Sequence, residues 1–206
     1  DGGRLGLDFP EVTVRDMVRA QKRLLDALGV KRLQLVIGPS LGGMQTLEWA
    51  ASYPDFVDTV APFGVSGRHS AGCIGVGESQ RAAIAADPNW REGRFEDRAR
   101  PEQGLAAARM MAMIMYRSWQ NFEARFERKP DQKDGFDVSS YLQYQGRKLV
   151  ERFDAASYFR LTQAMDSHDL GRGRGGDYLE VLAGIRSPAL IVAVTPTAAE
   201  LILSIT

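Results

Sequence analysis

The apolar positions in the first part of the chain are spaced as on one face of a helix. Between Thr13 and Leu28 the side chains Val14, Met17, Val18, Leu24, Leu25 and Leu28 form a single apolar stripe. Thr13 followed by Asp16 three residues later fits a capping box, and Gly29 is typical of the residue just past a helix end. The pattern therefore predicts a helix from Thr13 to Leu28.

Short apolar runs follow this helix and indicate strands. Leu33 to Ile37 and Val57 to Val65 predict two buried strands, and Gly42 to Ser52 predicts a helix between them. The next comparable run is Ala189 to Val194. Helices that alternate with strands over short connections predict a parallel sheet with helices on both faces, which is an α/β fold.

The stretch between the second and third strands has the pattern of helices. It predicts four of them, at Ser79–Ala86, Gly104–Phe126, Ser139–Phe153 and Ala155–Met165. A parallel sheet interrupted in this way suggests a helical cap inserted over the carboxyl edge of the sheet, where such folds bind ligands. We expect core over residues 1–67, cap over 68–180 and a return to the core over 181–206.

Composition and charge exclude several kinds of binding partner and site. The 206 residues contain 26 Lys and Arg and 26 Asp and Glu, so no bulk charge favours nucleic acid or an anionic membrane as partner. The single cysteine, Cys73, excludes an internal disulfide and cannot form a zinc site alone, and we expect no bound metal or cofactor. The first residues lack the apolar core of a signal peptide, so we expect none there, and no apolar run approaches the roughly 20 residues of a membrane span. We expect a cytoplasmic protein, and a chain that begins inside a longer one because it lacks an initiator Met.

The predicted turn after the first strand contains a motif that is typical of catalytic serines. Gly38-Pro39-Ser40-Leu41-Gly42 matches the G-x-S-x-G nucleophile elbow, in which small neighbours let a strand and a helix cross beside an exposed serine. The helix N-terminus favours negative charge there, and the backbone N–H of Leu41 would form half of an oxyanion hole. A plain turn is the alternative, but the required strand before and helix after are both predicted. We therefore predict that Ser40 is a nucleophile.

For several other polar residues, the sequence pattern allows both a functional and a structural interpretation. Arg109 and Tyr116 lie seven residues apart on one face of a predicted helix, and such an arginine either binds a carboxylate or extends to water. The two histidines, His69 and His168, precede the last strand, so we predict structural roles for both. The segment Gly171–Gly176, "GRGRGG", follows a helix rather than a strand, which favours a flexible connector over a dinucleotide site.

Longer segments carry a more specific pattern than the elbow. They are "DFPEVTVRDMVRAQKRLLDALGV", "GPSLGGMQTLEWAASYPDFVD", "RHSAGCIGVGESQRAAIAADPNW", "GLAAARMMAMIMYRS", "SYLQYQGRKLVERFDAASYFRLTQAMDSHDLGRGRGG" and "IRSPALIV". Together they resemble the homoserine O-acetyltransferase family over residues 8–194. The resemblance implies an α/β-hydrolase-type parallel sheet core, here partial, with an inserted helical cap.

The resemblance also implies a reaction and its residues. The serine matched by Ser40 takes an acetyl group from acetyl-CoA, and the hydroxyl of L-homoserine then removes it, in a ping-pong mechanism of methionine biosynthesis. Arg109 matches the arginine that binds the homoserine carboxylate, and Tyr116 matches a tyrosine of that pocket. A homodimer formed through the cap helices is implied as well.

Departures from the family pattern limit what the chain can do. Thr197 stands where the family has its catalytic Asp, Glu200 is the nearest carboxylate, and the chain ends before the position of the His. The triad Asp and His are therefore not present, nor are the opening strands, and we expect the chain alone to be inactive and poorly stable. The alternatives are a homoserine O-succinyltransferase or serine O-acetyltransferase of the same family, an esterase of the same fold, and a non-catalytic remnant.

Overall fold

A computed structural model describes residues 5–131, 135–194 and 201–205 of the chain. Thr197, at the position of the family's catalytic Asp, and Glu200, the nearest carboxylate in the sequence, lie outside the described residues. The chain forms two compact units. One contains Asp1–Glu11 and Ala71–Gln163, and the other contains Val12–Ser70 and Ala164–Thr206.

The regular elements follow one another along the chain, with longer connections between α3 and α4 and between α7 and α8. In chain order they are α1 (Val14–Ala27), β1 (Leu33–Pro39), α2 (Leu41–Ser52), β2 (Val57–Phe63), α3 (Ala71–Ala85), α4 (Glu102–Met115), α5 (Trp119–Phe126), α6 (Asp137–Val150), α7 (Ala155–Asp166), α8 (Tyr178–Ala183), β3 (Leu190–Val194) and β4 (Leu201–Ile205). The predicted order of helices and strands from α1 to β2 is confirmed. The predicted boundaries of core and cap stay a prediction.

The unit that contains Val12–Ser70 has a four-stranded sheet, which we call the sheet unit. Its strands lie in the order β1-β2-β3-β4, with β1, β2 and β3 parallel and β4 antiparallel to β3. Leu33 pairs with Val57 and Pro39 with Phe63, so β1 and β2 end together at their carboxyl edge. The predicted parallel sheet with flanking helices is confirmed, and β4 is an addition that the sequence pattern did not predict.

β1 lies at the edge of the described sheet. Its apolar side chains Leu35 and Ile37 are exposed, and the prediction of a buried strand is therefore wrong for β1 as described. Leu35 and Ile37 alternate with Val36, which packs against the core of this unit, so they point to the opposite face of the sheet, where they stay exposed; no described strand pairs with the outer side of β1 either. An uncovered apolar edge strand favours association with other chains.

The helices α1 and α2 cover β2 and form the core of the sheet unit. Val18 of α1 packs with Trp49 and Ala50 of α2 and with Val57 and Val60 of β2. The predicted capping box at the start of α1 is present, and Gly29 after its end has a φ of +77°. These local signals fix the ends of α1, while the buried contacts with Trp49 set which face points inward.

The other unit, which we call the helical unit, is built from α3 to α6 and most of α7. Its core includes Ile84 of α3, Leu105 of α4 and Ala155 of α7. The predicted single helix from Gly104 to Phe126 is wrong, because α4 ends at Met115 and the side chain of Ser118 caps α5. Over the residues that the structure describes, no helix is both long and apolar enough to cross a membrane.

Candidate active site

The turn between β1 and α2 has the geometry of a nucleophile elbow. Ser40 is exposed and has a φ of 51° and a ψ of −120°, a left-handed conformation that is unfavourable for a residue other than glycine. Its backbone N–H donates to the carbonyl of Phe63 at 2.9 Å, so the pairing of β1 with β2 continues to the serine itself. The sheet therefore holds the strained residue in place at its carboxyl edge.

Two glycines allow the strand and the helix to approach each other at this turn. A Cβ atom on Gly38 would lie 2.5 Å from the carbonyl carbon of Gly42, a distance that no real side chain tolerates. A Cβ atom on Gly43 would lie 3.0 Å from the carbonyl oxygens of Gly38 and Phe63. Close packing of β1 against α2 therefore requires glycine at both positions, as the sequence motif indicated.

Leu41 is the first residue of α2 and follows Ser40 directly. The N–H groups of a first helical turn have no partner within the helix, and the helix dipole makes that end positive. The backbone N–H of Leu41 is therefore available to an oxyanion that forms at Ser40. This arrangement suits the attack of a serine hydroxyl on a carbonyl carbon.

No acid or base contacts the Ser40 side chain in the part of the chain that is described. The side chain of Ser40 makes no hydrogen bond to a described residue. His168 is 4% exposed, and its Nε2 lies 3.1 Å from the carbonyl oxygen of Ser66. His69 donates its backbone N–H to the carbonyl of His168, and its Nε2 lies 3.8 Å from Asp166. Burial lowers the pKa of both histidines, so both are neutral at pH 7.

Arg109 and Tyr116 lie together in the helical unit. The guanidinium carbon of Arg109 is 5.6 Å from the centroid of the Tyr116 ring, so the two share one face at the carboxyl end of α4, as predicted. Arg109 is half-buried, and it makes no hydrogen bond or ion pair with any described residue. A guanidinium in this state can bind a carboxylate with two parallel hydrogen bonds.

Comparison with known proteins decides the family. The sequence profile of the alpha/beta hydrolase fold matches residues 5–196. The chain belongs to this alpha/beta hydrolase fold family. The strained Ser40 turn at the carboxyl edge of a parallel sheet has the geometry of the nucleophile elbow that occurs in this fold.

The resemblance to homoserine O-acetyltransferases is confirmed by sequence. The chain is 60% identical over 190 residues to the homoserine O-acetyltransferase of Trichormus variabilis. This alignment covers 92% of this chain and 52% of that protein. The chain is also 59% identical over 193 residues to the homoserine O-acetyltransferase of Chloroherpeton thalassium, and this alignment covers 94% of this chain and 51% of that protein. This hydrolase-fold chain thus spans about half the length of the curated relatives it matches.

Solved structures agree on the fold. The crystal structure of homoserine O-acetyltransferase from Bacillus anthracis matches with a TM-score of 0.85 at 24% identity, over 93% of this chain and 53% of that chain. The acetyl esterase MekB matches with a TM-score of 0.78 at 27% identity, over 92% of this chain and 55% of that chain. The same fold therefore occurs in a protein named as a transferase and in one named as an esterase.

A buried ion-pair cluster in the sheet unit was not predicted. The Glu48 carboxylate of α2 is 2% exposed and accepts hydrogen bonds from Arg15 Nε at 2.9 Å, from both terminal nitrogens of Arg174 and from Ser52 Oγ at 2.6 Å. Arg174 also donates to the carbonyl of Leu170 at 2.7 Å. The prediction of a flexible connector over Gly171–Gly176 is therefore wrong, because Arg174 ties this segment to α2.

A tyrosine near Arg109 was also missed. The hydroxyl of Tyr158 on α7 donates to Oε1 of Gln80 on α3 at 2.9 Å. The pKa of Tyr158 is raised to about 12, chiefly by burial and also by Tyr116, while the positive charge of Arg109 acts to lower it. No pattern in the sequence indicates this pairing, because residues 78 positions apart meet only through the packing of the helices.

Proposed function

We propose that the chain carries the nucleophile of an acyl-CoA-dependent O-acyltransferase. The enzyme moves an acetyl group from acetyl-CoA to the hydroxyl of L-homoserine, a step of methionine biosynthesis. The observation that carries the proposal is the strained, exposed Ser40 at the N-terminus of α2, in a chain 60% identical to a homoserine O-acetyltransferase. Acetyl-CoA is a co-substrate here, and no bound cofactor is required.

The reaction proceeds in two acyl transfers at Ser40. In the first, Ser40 Oγ attacks the thioester carbonyl carbon, the carbon–sulfur bond breaks, and CoA leaves with a proton as the thiol. In the second, the hydroxyl oxygen of homoserine attacks the acetyl-serine carbonyl, and Ser40 Oγ leaves and regains its proton. The N–H of Leu41 stabilises the oxyanion of both tetrahedral intermediates, and Arg109 with Tyr116 binds the carboxylate end of homoserine.

The chain made alone is expected to be inactive. Both transfers need a general base near Ser40, and no described imidazole or carboxylate contacts the Ser40 side chain. Loss of the acid and base of a triad lowers the rate by several orders of magnitude. Efficient homoserine acetylation by the purified chain would contradict this expectation.

A chimera tests the proposed reaction. Residues 8–194 of this chain replace the matching segment of the Trichormus variabilis relative, which supplies the remainder of that enzyme. We expect CoA release that depends on L-homoserine, and a loss of at least about 10³-fold in kcat for Ser40→Ala. Ser79→Ala, at an exposed serine of α3, is the matched control and leaves the rate unchanged. Homoserine-dependent CoA release that survives Ser40→Ala would refute the role of Ser40.

Ester hydrolysis is the second candidate function, favoured by the similarity to the acetyl esterase MekB. The same chimera separates the two candidates. A transferase releases CoA faster when homoserine is added, whereas an esterase releases product at a rate that homoserine does not change. Replacing acetyl-CoA by succinyl-CoA, or homoserine by serine, distinguishes the related transferases. A well-folded chimera with no turnover would favour a non-catalytic remnant.

We further propose a homodimer through the cap helices and a cytoplasmic location. The dimer is supported by a group of exposed apolar side chains at the end of α4 and the start of α5, which includes Met115, Tyr116 and Trp119. Burying such a patch between two copies removes apolar surface from water. Sedimentation velocity should show a dimer that Trp119→Ser weakens, and a monomer at every concentration would contradict the proposal.

A further inference from the structure

The side-chain amides of two glutamines join α1 to the helix that follows Ser40. Nε2 of Gln21 on α1 donates to Oε1 of Gln45 on α2 at 2.5 Å. The indole Nε1 of Trp49 donates to Oε1 of Gln21 at 2.9 Å, and Nε2 of Gln45 donates to the backbone carbonyl of Leu41 at 3.3 Å. Three hydrogen bonds in series therefore connect Trp49 to Leu41, and we call the amides of Gln21 and Gln45 the glutamine bridge.

The two ends of the glutamine bridge fix the direction of both amides. An indole N–H can only donate a hydrogen bond, and a backbone carbonyl can only accept one. Gln21 must therefore turn its oxygen toward Trp49, and Gln45 must turn its nitrogen toward Leu41. Rotating either amide by 180° would set two donors or two acceptors against each other. The bridge thus has a single arrangement, in which hydrogen bonds in series polarise one another.

Trp49 anchors the glutamine bridge in the core of the sheet unit. Its side chain is 3% exposed, and its ring stacks on Phe56 at a centroid distance of 5.9 Å and contacts the Tyr53 ring at 5.2 Å. At the other end, Leu41 directly follows the strained Ser40. The bridge therefore links a rigid part of the core to the first turn of α2.

The first turn of α2 is held by side chains at two successive carbonyl groups. The carbonyl of Leu41 accepts from Gln45, and the carbonyl of Gly42 accepts from Oγ1 of the buried Thr46 at 2.9 Å. A carbonyl that accepts a further hydrogen bond polarises its peptide group, so the N–H of that peptide becomes a stronger donor. The N–H groups of a first helical turn have no partner within the helix. Both orientation and donor strength of these groups thus depend on side chains one turn further along α2.

We propose that Gln45 is a positioning residue for acyl transfer at Ser40. Through its bond to the Leu41 carbonyl, the glutamine bridge holds the first turn of α2 in the orientation in which its N–H groups stabilise the oxyanion. Gln45 acts through Leu41 and does not touch the reacting atoms. The oxyanion exists only during the reaction, so losing the bridge lowers kcat and leaves KM unchanged. The inference rests on the proposed function, and it extends the groups that support catalysis to Gln21 on α1.

The chimera that carries residues 8–194 of this chain tests the inference, since it contains the whole glutamine bridge. Gln45→Met keeps the length of the side chain and removes its hydrogen bonds, and Gln21→Met breaks the bridge at an exposed position of α1. Gln143→Met, at an exposed glutamine of α6, is the matched control. For each variant and for the double variant we measure kcat, the KM values for acetyl-CoA and L-homoserine, and unfolding by urea.

The expected result is a selective loss of kcat. Gln45→Met lowers kcat by roughly tenfold with both KM values unchanged, which is less than the about 10²–10³-fold cost of removing an oxyanion donor outright, because the N–H groups remain. Gln21→Met lowers kcat by roughly threefold, and Gln143→Met changes nothing. The double variant is no slower than Gln45→Met, because a bridge already broken at Gln45 leaves Gln21 nothing to hold.

The outcomes that overturn the inference differ from those that overturn the proposed function. Unchanged kcat in Gln45→Met and Gln21→Met, a rise in KM at constant kcat, or losses that multiply in the double variant refute the role of the bridge while the proposed function stands. If Gln45→Met folds poorly, the exposed Gln21→Met decides the question alone. If the unaltered, folded chimera releases no CoA with homoserine, the proposed function is wrong and the inference falls with it.

Discussion

The buried carboxylate of Glu48 allows a quantitative test of how the segment after α7 is held. Glu48 accepts hydrogen bonds from Arg15, Arg174 and Ser52, and Arg174 also donates to Ser52 Oγ on the same helix at 2.6 Å. We predict that Glu48→Gln, which keeps the shape of the side chain and removes its charge, lowers the free energy of unfolding.

The structure sets the size of this effect. Removing one partner of a buried ion pair costs about 3–5 kcal/mol, because the remaining charge stays buried without compensation. Arg15 and Arg174 are 21% and 20% exposed, so water can hydrate part of the charge that is left behind. The glutamine also keeps one acceptor oxygen. We therefore expect a loss of about 2–3 kcal/mol.

Urea unfolding followed by circular dichroism measures this loss. Asp55→Asn is the matched control, because Asp55 pairs with Arg186 at 2.7 Å but both side chains are largely exposed. Surface pairs of this kind contribute at most about 1 kcal/mol. If Glu48→Gln costs no more than Asp55→Asn, the buried cluster does not stabilise the fold and the reasoning is wrong.

The pH dependence provides an independent check on the same residue. Burial raises the pKa of Glu48, but the hydrogen bonds from Arg174 and Ser52 and the charges of Arg174 and Arg15 outweigh it and hold the pKa below its ordinary value of 4.5. The contribution of the carboxylate is therefore complete above pH 4.5 and is lost as the pH falls through the lowered value. The difference between the unaltered chain and Glu48→Gln should shrink over that range.

Two further predictions concern the elbow and a buried histidine. Gly38→Ala should lower the free energy of unfolding by about 1–3 kcal/mol, because the new Cβ meets the backbone of Gly42. Gly75 lies within α3, where a Cβ would meet nothing within 4 Å, so Gly75→Ala should raise the free energy of unfolding by up to about 1 kcal/mol. Burial lowers the pKa of His168 below 6.5, so its contribution to stability is complete above pH 6.5 and is lost as the pH falls through the lowered value. In His168→Asn, the free energy of unfolding should decrease less steeply as the pH falls below 6.5. If the decrease is as steep as in the unaltered chain, protonation of His168 is not its cause.

The sequence predicted best those features that neighbouring residues determine. The capping box of α1 and the strained turn at Ser40 depend on side chains a few positions apart, and both are present. The break between α4 and α5 was missed, because apolar spacing continues across the Ser118 cap and hides it. The α3 helix begins at Ala71 rather than Ser79, since its glycines weaken the helical pattern.

Contacts between distant positions could not be predicted in this way. Glu48 and Arg174 are 126 residues apart, and an isolated glutamate in the apolar stretch of α2 shows only that some partner must exist. Tyr158 gives no signal at all, since a tyrosine at a helical spacing is ordinary core material. Both pairings arise only when packing brings separate elements together.

The position of the proposed nucleophile, Ser40, and its reactivity are therefore separate properties of this fold. The glycines around Ser40 and the first turn of α2 place the hydroxyl and an oxyanion donor without any help from an acid or a base. The same fold occurs in proteins named as a transferase and as an esterase, so the fold alone does not determine the acceptor. The choice of an amino-acid hydroxyl over water must instead depend on groups that bind the acceptor. Among the described residues, the guanidinium of Arg109 makes no hydrogen bond or ion pair, so it can bind a carboxylate of the proposed acceptor.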